Sequence, residues 1–293
     1  MRQRCRRQQG RSPAAGRVFI YSIIGHYSVM EGIRSIHQPG HVIRHNARVK
    51  IYPDGTRDIM ICSRPIFREK GWEDCKPSLS SGAKKASRDG VSVRAQRRAK
   101  AAVREIALCN RFSYFVTLTL NKERVDRYDM AAITKRLNSW LDNCVRRKGL
   151  AYVLVPERHK DGAIHFHGFF NEALRAEPSG HVDKQGHEIF NLPEWPLGFS
   201  TAIRLYGEYH KAVAYVQKYI GKQGEKPGGR WYYSGGALAR PEVLLCELDE
   251  QSAPEDAYSF SVDEAGLWIT MWTEGPGTLI PGEDLGELTF LGK

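Results

Sequence analysis

The fold is decided by the stretch Ala163-Ile-His-Phe-His-Gly-Phe-Phe170, whose side chains alternate as in a half-buried β-strand. Residues two apart on a strand point to the same face, so His165 and His167 share a face with Phe169. Their imidazoles are expected about 6.5 Å apart along the strand, a separation at which both can bind one divalent metal ion. The opposite face is a core face and carries Ile164, Phe166 and Phe170.

A carboxylate that could complete such a metal site lies just before this strand. Lys160-Asp161-Gly162 is typical of a three-residue hairpin loop with glycine in the left-handed conformation. In that register Glu157 lies directly opposite His165, on the same face, and His159 is a reserve ligand. Two imidazoles and a carboxylate leave positions open for a phosphate oxygen and water. The alternative is a pair of ordinary histidines, and a slip of one residue would turn Glu157 away.

The rest of the chain supplies further strands and helices. Alternating and β-branched residues predict a hairpin over 46–63 and strands over 112–120, 151–157 and 199–205. Helical spacing or composition predicts helices over 91–108, 130–148 and 208–221. The polar insertion at 175–188 predicts no element. This succession indicates an α+β fold in which helices flank a central antiparallel sheet.

A second group of reactive side chains lies in the sequence YVQKYIGK, residues 215–222. At about 100° per residue, Tyr215 and Tyr219 lie one turn apart, between an apolar stripe and a lysine face. Lys218 and Lys222 each follow a tyrosine by three residues, where an ammonium can position a phosphate or stabilise charge on it. A phenol with a pKa of about 10 needs such help to attack a phosphodiester at neutral pH. The alternative is that both tyrosines only pack the helix against the sheet.

Charge is distributed unevenly along the chain. The net charge is +11, but eleven acidic residues and one basic residue, Lys293, follow residue 246, which leaves +21 on the first 246 residues. A body this basic indicates a polyanionic partner, most often nucleic acid. Arg94, Arg97 and Arg98 lie on the helix predicted over 91–108, where they either contact DNA or form a solvated face.

Composition disfavours several other classes of protein. The sequence has no run of 18 apolar residues, and the apolar stretch at 18–24 is too short for a signal peptide. A cytoplasmic protein without membrane contact is therefore expected. The six cysteines form no CxxC pair, which disfavours a disulfide framework or a structural zinc site.

Three parts are distinguished along the chain. Residues 1–45 are interpreted as a basic, disordered arm, residues 46–241 as the main domain, and residues 242–293 as an acidic tail. The tail either packs on the basic body or recruits a partner. Alternation in Trp268-Ile-Thr-Met-Trp272 favours docking as an added strand.

Three short motifs occur in the order FVTLTL (115–120), HFH (165–167) and YVQKYIGK (215–222). Together they resemble the motifs of the HUH endonuclease superfamily, in its branch of rolling-circle replication initiators, or Rep proteins. Histidines before tyrosine is the Rep order, whereas relaxases place the tyrosine first. The likeness is greatest to initiators of bacterial plasmids and single-stranded-DNA phages, in the gene-A-like two-tyrosine group. The stretches ERHKDGAIHFHG (157–168) and RWYYSGGALARP (230–241) extend it, so that it covers residues 46–241.

This resemblance implies a fold and a cofactor. The fold would be an antiparallel sheet like that of a ferredoxin or an RNA-recognition motif, with HFH on a central strand. The cofactor would be Mg²⁺ or Mn²⁺, held by His165, His167 and Glu157. Thr117 and Thr119, on one face of the first motif strand, would support the site or touch DNA.

The resemblance also implies an activity. Tyr215 and Tyr219 would be nucleophiles that nick single-stranded DNA at a replication origin, leaving a 5′-phosphotyrosine link and a free 3′-hydroxyl that primes synthesis. Two tyrosines would let one hold the parental end while the other cuts the completed circle. No Walker-type GxxxxGK[ST] follows Lys222, so a host helicase and a host polymerase are expected as partners.

Three other interpretations use the same residues. A two-tyrosine HUH transposase would share every motif and differ in the DNA ends that it recognises. A non-catalytic nucleic-acid-binding protein would use the sheet face and the basic body. A structural zinc protein would use His165 and His167, although no cysteine lies at ligand spacing.

Overall fold

The structure, a computed structural model, describes residues 43–68, 88–207, 209–220, 222, 226–261 and 267–276. These residues form two antiparallel sheets and three α-helices. The predicted α+β class, with helices flanking an antiparallel sheet, is confirmed. Among the described helices none has the length and apolar character that a membrane span requires.

The elements are as follows in chain order. The strands are β1 (Ile43–Ile51), β2 (Arg57–Arg68), β3 (Tyr114–Leu120), β4 (Tyr152–Arg158), β5 (Ile164–Phe170), β6 (Glu177–Val182), β7 (Glu188–Asn191), β8 (Gly198–Arg204), β9 (Tyr233–Gly235), β10 (Glu242–Cys246), β11 (Tyr258–Ser261) and β12 (Trp268–Glu274). The helices are α1 (Arg88–Asn110), α2 (Met130–Lys148) and α3 (Tyr209–Tyr219), with short 3₁₀ turns at Pro227–Gly229 and Glu250–Ser252.

The larger sheet has the strand order β6-β7-β8-β3-β5-β4-β9. β5 lies between β3 and β4 and is antiparallel to both, while α2 connects β3 to β4. This is the split β-α-β unit of ferredoxin-like folds. The connection from β5 to β8 is the β6–β7 hairpin instead of a helix, and α3 follows β8. The insertion at 175–188, for which the sequence predicted no element, thus extends the sheet beyond β8.

Helix α2 covers one face of the larger sheet. It begins at Asp129, whose carboxylate accepts hydrogen bonds from the backbone N–H groups of Ala131 and Ala132 at 2.9 and 3.1 Å. It ends at Gly149, whose φ of 72° favours glycine. Its buried side chains are Ile133, Leu137, Leu141 and Cys144, and they join the core cluster that contains Ile164, Phe166 and Phe170.

Helices α1 and α3 cover the opposite face, which is the face of the histidines. Val103 and Ile106 of α1 and Val213 and Val216 of α3 share one core cluster with Phe169. The side-chain amide of Gln217 on α3 donates to the backbone carbonyl of Lys100 on α1 at 2.8 Å. The tyrosine helix is therefore held between the sheet and α1.

The smaller sheet has the order β10-β1-β2-β12-β11. The hairpin that the sequence predicted is its centre, and strands from residues after 241 add to both edges. Ala47 pairs with Cys246, and Ile59 pairs with Trp272. The strand expected over 268–272 is β12. Strand pairing thus crosses the predicted division of the chain after residue 241, while the predicted arm lies outside the described residues up to position 42 and enters β1 at Ile43–His45.

A group of ionic contacts joins the smaller sheet to α1. The Asp58 carboxylate accepts hydrogen bonds from the Tyr52 hydroxyl at 2.6 Å, from Arg104 of α1 at 2.5 Å and from the Thr273 hydroxyl at 2.9 Å. Glu105 of α1 pairs with Lys50 of β1. These contacts include strand residues from both sides of the larger sheet in the sequence.

The backbones of β5 and β4 approach closely at Gly168, directly after HFH. A Cβ atom on this residue would lie 2.0 Å from the carbonyl oxygen of Val153 and 2.9 Å from Cα of Leu154. Backbone atoms cannot give way as the end of a flexible side chain can. The glycine therefore allows the spacing that sets β5 beside β4.

We expect Gly168→Ala to lower the free energy of unfolding by about 2 kcal/mol or more, since overpacking a buried position typically costs about 1–3 kcal/mol. Urea unfolding followed by tryptophan fluorescence measures the change. Ser139→Ala on the exposed side of α2 is the control, for which a change within about 0.5 kcal/mol is expected. An unchanged midpoint for Gly168→Ala would mean that β4 and β5 can separate at little cost.

Candidate active site

The two histidines of β5 lie side by side on the face that α3 covers. The ring centres of His165 and His167 are 6.4 Å apart and the rings are 15° from parallel. His167 is buried, with 7% of its surface exposed, while His165 is half-buried. Alternation along the strand is sufficient to place both rings on the face of Phe169.

Threonine hydroxyls of β3 hold both rings from the neighbouring strand. Oγ1 of Thr117 lies 3.1 Å from Nδ1 of His167, and Oγ1 of Thr119 lies 3.4 Å from Nδ1 of His165. Each pair stands opposite in the β3–β5 register. Contacts at Nδ1 orient the imidazoles so that Nε2 points away from β3. Thr117 is 4% exposed, which favours the supporting role over DNA contact for this residue.

Glu157 stands directly opposite His165 in the β4–β5 register, as the hairpin pattern predicts. Its carboxylate accepts hydrogen bonds from Nε2 of His167 at 2.8 Å and from Nζ of Lys222 at 2.7 Å. Burial alone would raise the pKa of Glu157. The hydrogen bonds from His167 and Lys222 outweigh burial and lower this pKa to about 2. The carboxylate is therefore ionised at neutral pH.

His165 has a second ring neighbour at the hairpin turn. The His159 ring centre lies 5.1 Å from that of His165, with 24° between the planes. Burial, together with the nearby imidazoles of His167 and His159, lowers the pKa of His165. A neutral imidazole keeps a nitrogen lone pair available to a metal ion.

Both tyrosines of α3 lie against the histidine pair. The Tyr219 ring is stacked on His167, with centres 4.1 Å apart and planes within 7°. Its hydroxyl donates a hydrogen bond of 2.6 Å to the Tyr215 hydroxyl, and the Tyr215 ring packs edge-on against Phe115 at 5.8 Å. Burial and the contact with Tyr215 raise the pKa of Tyr219 well above its usual range. The helix thus brings two phenolic oxygens together at the imidazoles.

The cationic side chains predicted for the site lie at different distances from it. Nζ of Lys222 contacts Glu157 and lies 5.5 Å from the Tyr219 ring centre. Lys218 is exposed on α3, and Arg97 and Arg98 are exposed on α1, which packs beside α3. The side chain of Arg94 lies outside the described residues.

Sequence reasoning missed three of these contacts. Lys222 meets Glu157, Tyr219 stacks on His167, and Phe115 packs on Tyr215. Each joins residues that are far apart in the chain, so no local pattern indicates them. The alternating threonines of FVTLTL were a signal for the Thr–His pairs, but the pairing of β3 with β5 was needed to use it.

The side chains with metal-binding chemistry are not arranged around one point. Within the described residues, no group of three His, Cys, Asp or Glu side chains is placed to hold a metal ion. The donor set of His165, His167 and Glu157 nevertheless suits a divalent ion, because two imidazoles held at Nδ1 can offer Nε2 beside an ionised carboxylate. Rings 6.4 Å apart would have to tilt to bring both Nε2 atoms within about 2.1 Å of one ion.

Comparison with known proteins finds a family likeness for the central part of the chain. Residues 113–224 match the family model of replication-associated protein ORF2. This range includes the threonines of β3, the histidine pair, Glu157, both tyrosines and Lys222, while the smaller sheet lies outside it. The match supports the resemblance to rolling-circle replication initiators, whereas the two-tyrosine group stays a prediction. Searches of curated proteins and of solved structures gave no match.

The ion pairs of Glu157 should make part of the stability depend on pH. A carboxylate whose folded pKa is about 2 stabilises the fold above the unfolded value of about 4.3 and loses this effect as pH falls towards 2. We therefore expect the stability advantage of the wild type over Glu157→Gln to shrink by about 2 kcal/mol between pH 6 and pH 3. Urea unfolding of both proteins in EDTA across this range measures it. A difference that is constant with pH would contradict the contacts of Glu157 with His167 and Lys222.

Proposed function

We propose that the protein is a replication initiator that nicks single-stranded DNA at an origin through a tyrosine, with a divalent metal ion as cofactor. The proposed product is a 5′-phosphotyrosine link with a free 3′-hydroxyl, which starts and later terminates rolling-circle replication. The observation that carries the proposal is the stacking of Tyr219 on His167 at 4.1 Å while its hydroxyl meets that of Tyr215. The match of residues 113–224 to a replication-associated family supports it independently.

The tyrosine oxygens are placed for the same phosphate. In the proposed step a phenolic oxygen forms a bond to phosphorus and the bond from phosphorus to the 3′ oxygen breaks. The phenol gives up its proton and the 3′ oxygen takes one up. Because the Tyr215 and Tyr219 oxygens are 2.6 Å apart, a small rotation lets either reach the same position. A phosphotyrosine keeps the energy of the broken phosphodiester, so the reverse reaction joins strands without ATP.

The residues around the tyrosines would manage charge. His165, His167 and Glu157 would hold Mg²⁺ or Mn²⁺, which when bound polarises the scissile phosphate and offsets the charge that develops on it. Lys222, within reach of the Tyr219 ring, would stabilise phosphate charge, and Lys218 would do so beside Tyr215. Thr117 and Thr119 would keep both imidazoles in the orientation that ligation needs.

The proposed substrate agrees with the charge of the chain. The +21 on the first 246 residues attracts a phosphate backbone, and Arg94, Arg97 and Arg98 would contact it along α1. The duplex would be opened by a host helicase and copied by a host polymerase, in the cytoplasm of a bacterial cell.

The first test is a covalent adduct. The protein is incubated with a single-stranded oligonucleotide carrying the origin of its own element, with Mn²⁺ or with EDTA, and run on denaturing protein gels. We expect a band shifted by the mass of the DNA with Mn²⁺ only, and no such band for the Tyr215→Phe/Tyr219→Phe double variant.

Tyr206→Phe, which changes an exposed tyrosine outside α3, is the matched control and should form the adduct. Binding without an adduct, over several origins and metals, would instead support a non-catalytic nucleic-acid-binding protein. Cleavage confined to the ends of a mobile element would support the transposase.

Both tyrosines should be needed for a full reaction cycle. We expect Tyr215→Phe and Tyr219→Phe each to nick the oligonucleotide but to lose strand transfer to a second oligonucleotide, by on the order of 10³-fold. A two-oligonucleotide joining assay measures this loss. Full strand transfer by one of the single variants would show that the replaced tyrosine is only structural.

A further inference from the structure

Four rings form a row along the histidine face. From α3 outwards they are Tyr219, His167, His165 and His159, with centres 4.1, 6.4 and 5.1 Å apart and planes 7°, 15° and 24° from parallel. The row follows β5 towards the hairpin turn at residues 159–162. Its inner end is covered by the helix.

The outer end of the row is exposed. The His159 side chain is 56% exposed, and its neighbour in the row, His165, lies on its inner side. Tyr128 lies at the same turn and is 51% exposed. Its ring carbons would be 3.4 and 3.6 Å from a Cβ atom on Gly162, so it packs against the turn. Two exposed rings therefore flank one turn beside the candidate active site.

The charges at this turn suit a phosphate backbone. The Arg127 guanidinium lies 5.7 Å from the Tyr128 ring centre and 3.7 Å from the Asp161 carboxylate. The same carboxylate is 3.4 Å from Nδ1 of His159, so its charge is matched locally. Arg158 donates to the Gly162 carbonyl at 3.2 Å, and Lys160 is exposed at the tip of the turn. Three cationic side chains thus stand against the two acids Asp126 and Asp161.

We propose that His159 and Tyr128 form a nucleobase-stacking subsite for the single-stranded DNA that the active site takes. Exposed aromatic rings interleaved with cations are the recurrent way in which proteins hold single strands, since every base has a face that can stack. The subsite holds the strand and does not read its sequence. This inference rests on the proposed function for its ligand, and it gives His159 a role other than that of a reserve metal ligand.

The test separates bases from phosphates. A fluorescent thymidine oligonucleotide and an abasic oligonucleotide of the same length carry the same backbone charge, and their affinities are measured by anisotropy in EDTA. We expect the wild type to prefer the thymidine strand. Tyr128→Ala and His159→Ala should each reduce this preference about five- to tenfold, the range that stacking of one base supplies, with the abasic affinity unchanged.

Matched variants make the result specific. Tyr258→Ala removes a ring of similar exposure, 56%, from the smaller sheet and should leave the preference unchanged. Tyr128→Phe and His159→Phe should keep it, since a phenyl ring stacks but cannot bind a metal ion. An unchanged preference in both alanine variants, or an equal loss of affinity for both oligonucleotides, would overturn the subsite.

This outcome is independent of the proposed chemistry. The anisotropy measurement needs neither a metal ion nor the tyrosine hydroxyls of α3. If the covalent adduct forms but the alanine variants keep the preference for bases, only the subsite fails. If the preference depends on the two rings but no adduct forms, the nicking activity fails and the binding surface stands.

Discussion

Antiparallel pairing of β5 with β3 on one side and β4 on the other holds the side chains of the site. His165 stands opposite Thr119 and Glu157, and His167 stands opposite Thr117. Because strand side chains alternate between faces, a shift of one residue would turn the whole set into the α2 core. The contacts at Nδ1, the carboxylate contact and the stacking of Tyr219 all depend on this register.

Electrostatic compensation inside the site comes from the chain itself. The Glu157 carboxylate lies against the histidine pair, and its two oxygens are taken by His167 and Lys222. An ionised group with a 12% exposed side chain is costly without such partners. A metal ion entering among these side chains would take over the part that Lys222 plays, and would leave its ammonium to an incoming phosphate.

Local patterns were enough for the elements and for one face of the site. The period of two in residues 163–170 and the turn Lys160–Gly162 gave the histidine face and the position of Glu157, because both depend on neighbours within a few residues. Patterns could not give the packing of α3, since Tyr219 and His167 are brought together by the burial of Val213 and Val216 against a sheet assembled from distant strands. The β6–β7 hairpin was missed because its residues are largely exposed, so they lack the apolar alternation of a half-buried strand.

The smaller sheet joins residues that are about 200 positions apart, since Ile59 of β2 pairs with Trp272 of β12. At about 5–20 residues per second, a ribosome needs roughly 10–40 s to make the chain between them. A hairpin of two strands is only marginally stable alone, and both outer edges of β1–β2 stay open to pairing during that interval. The centre of the chain can complete its own sheet first, so the last strands to be synthesised close the molecule around a unit that has already folded.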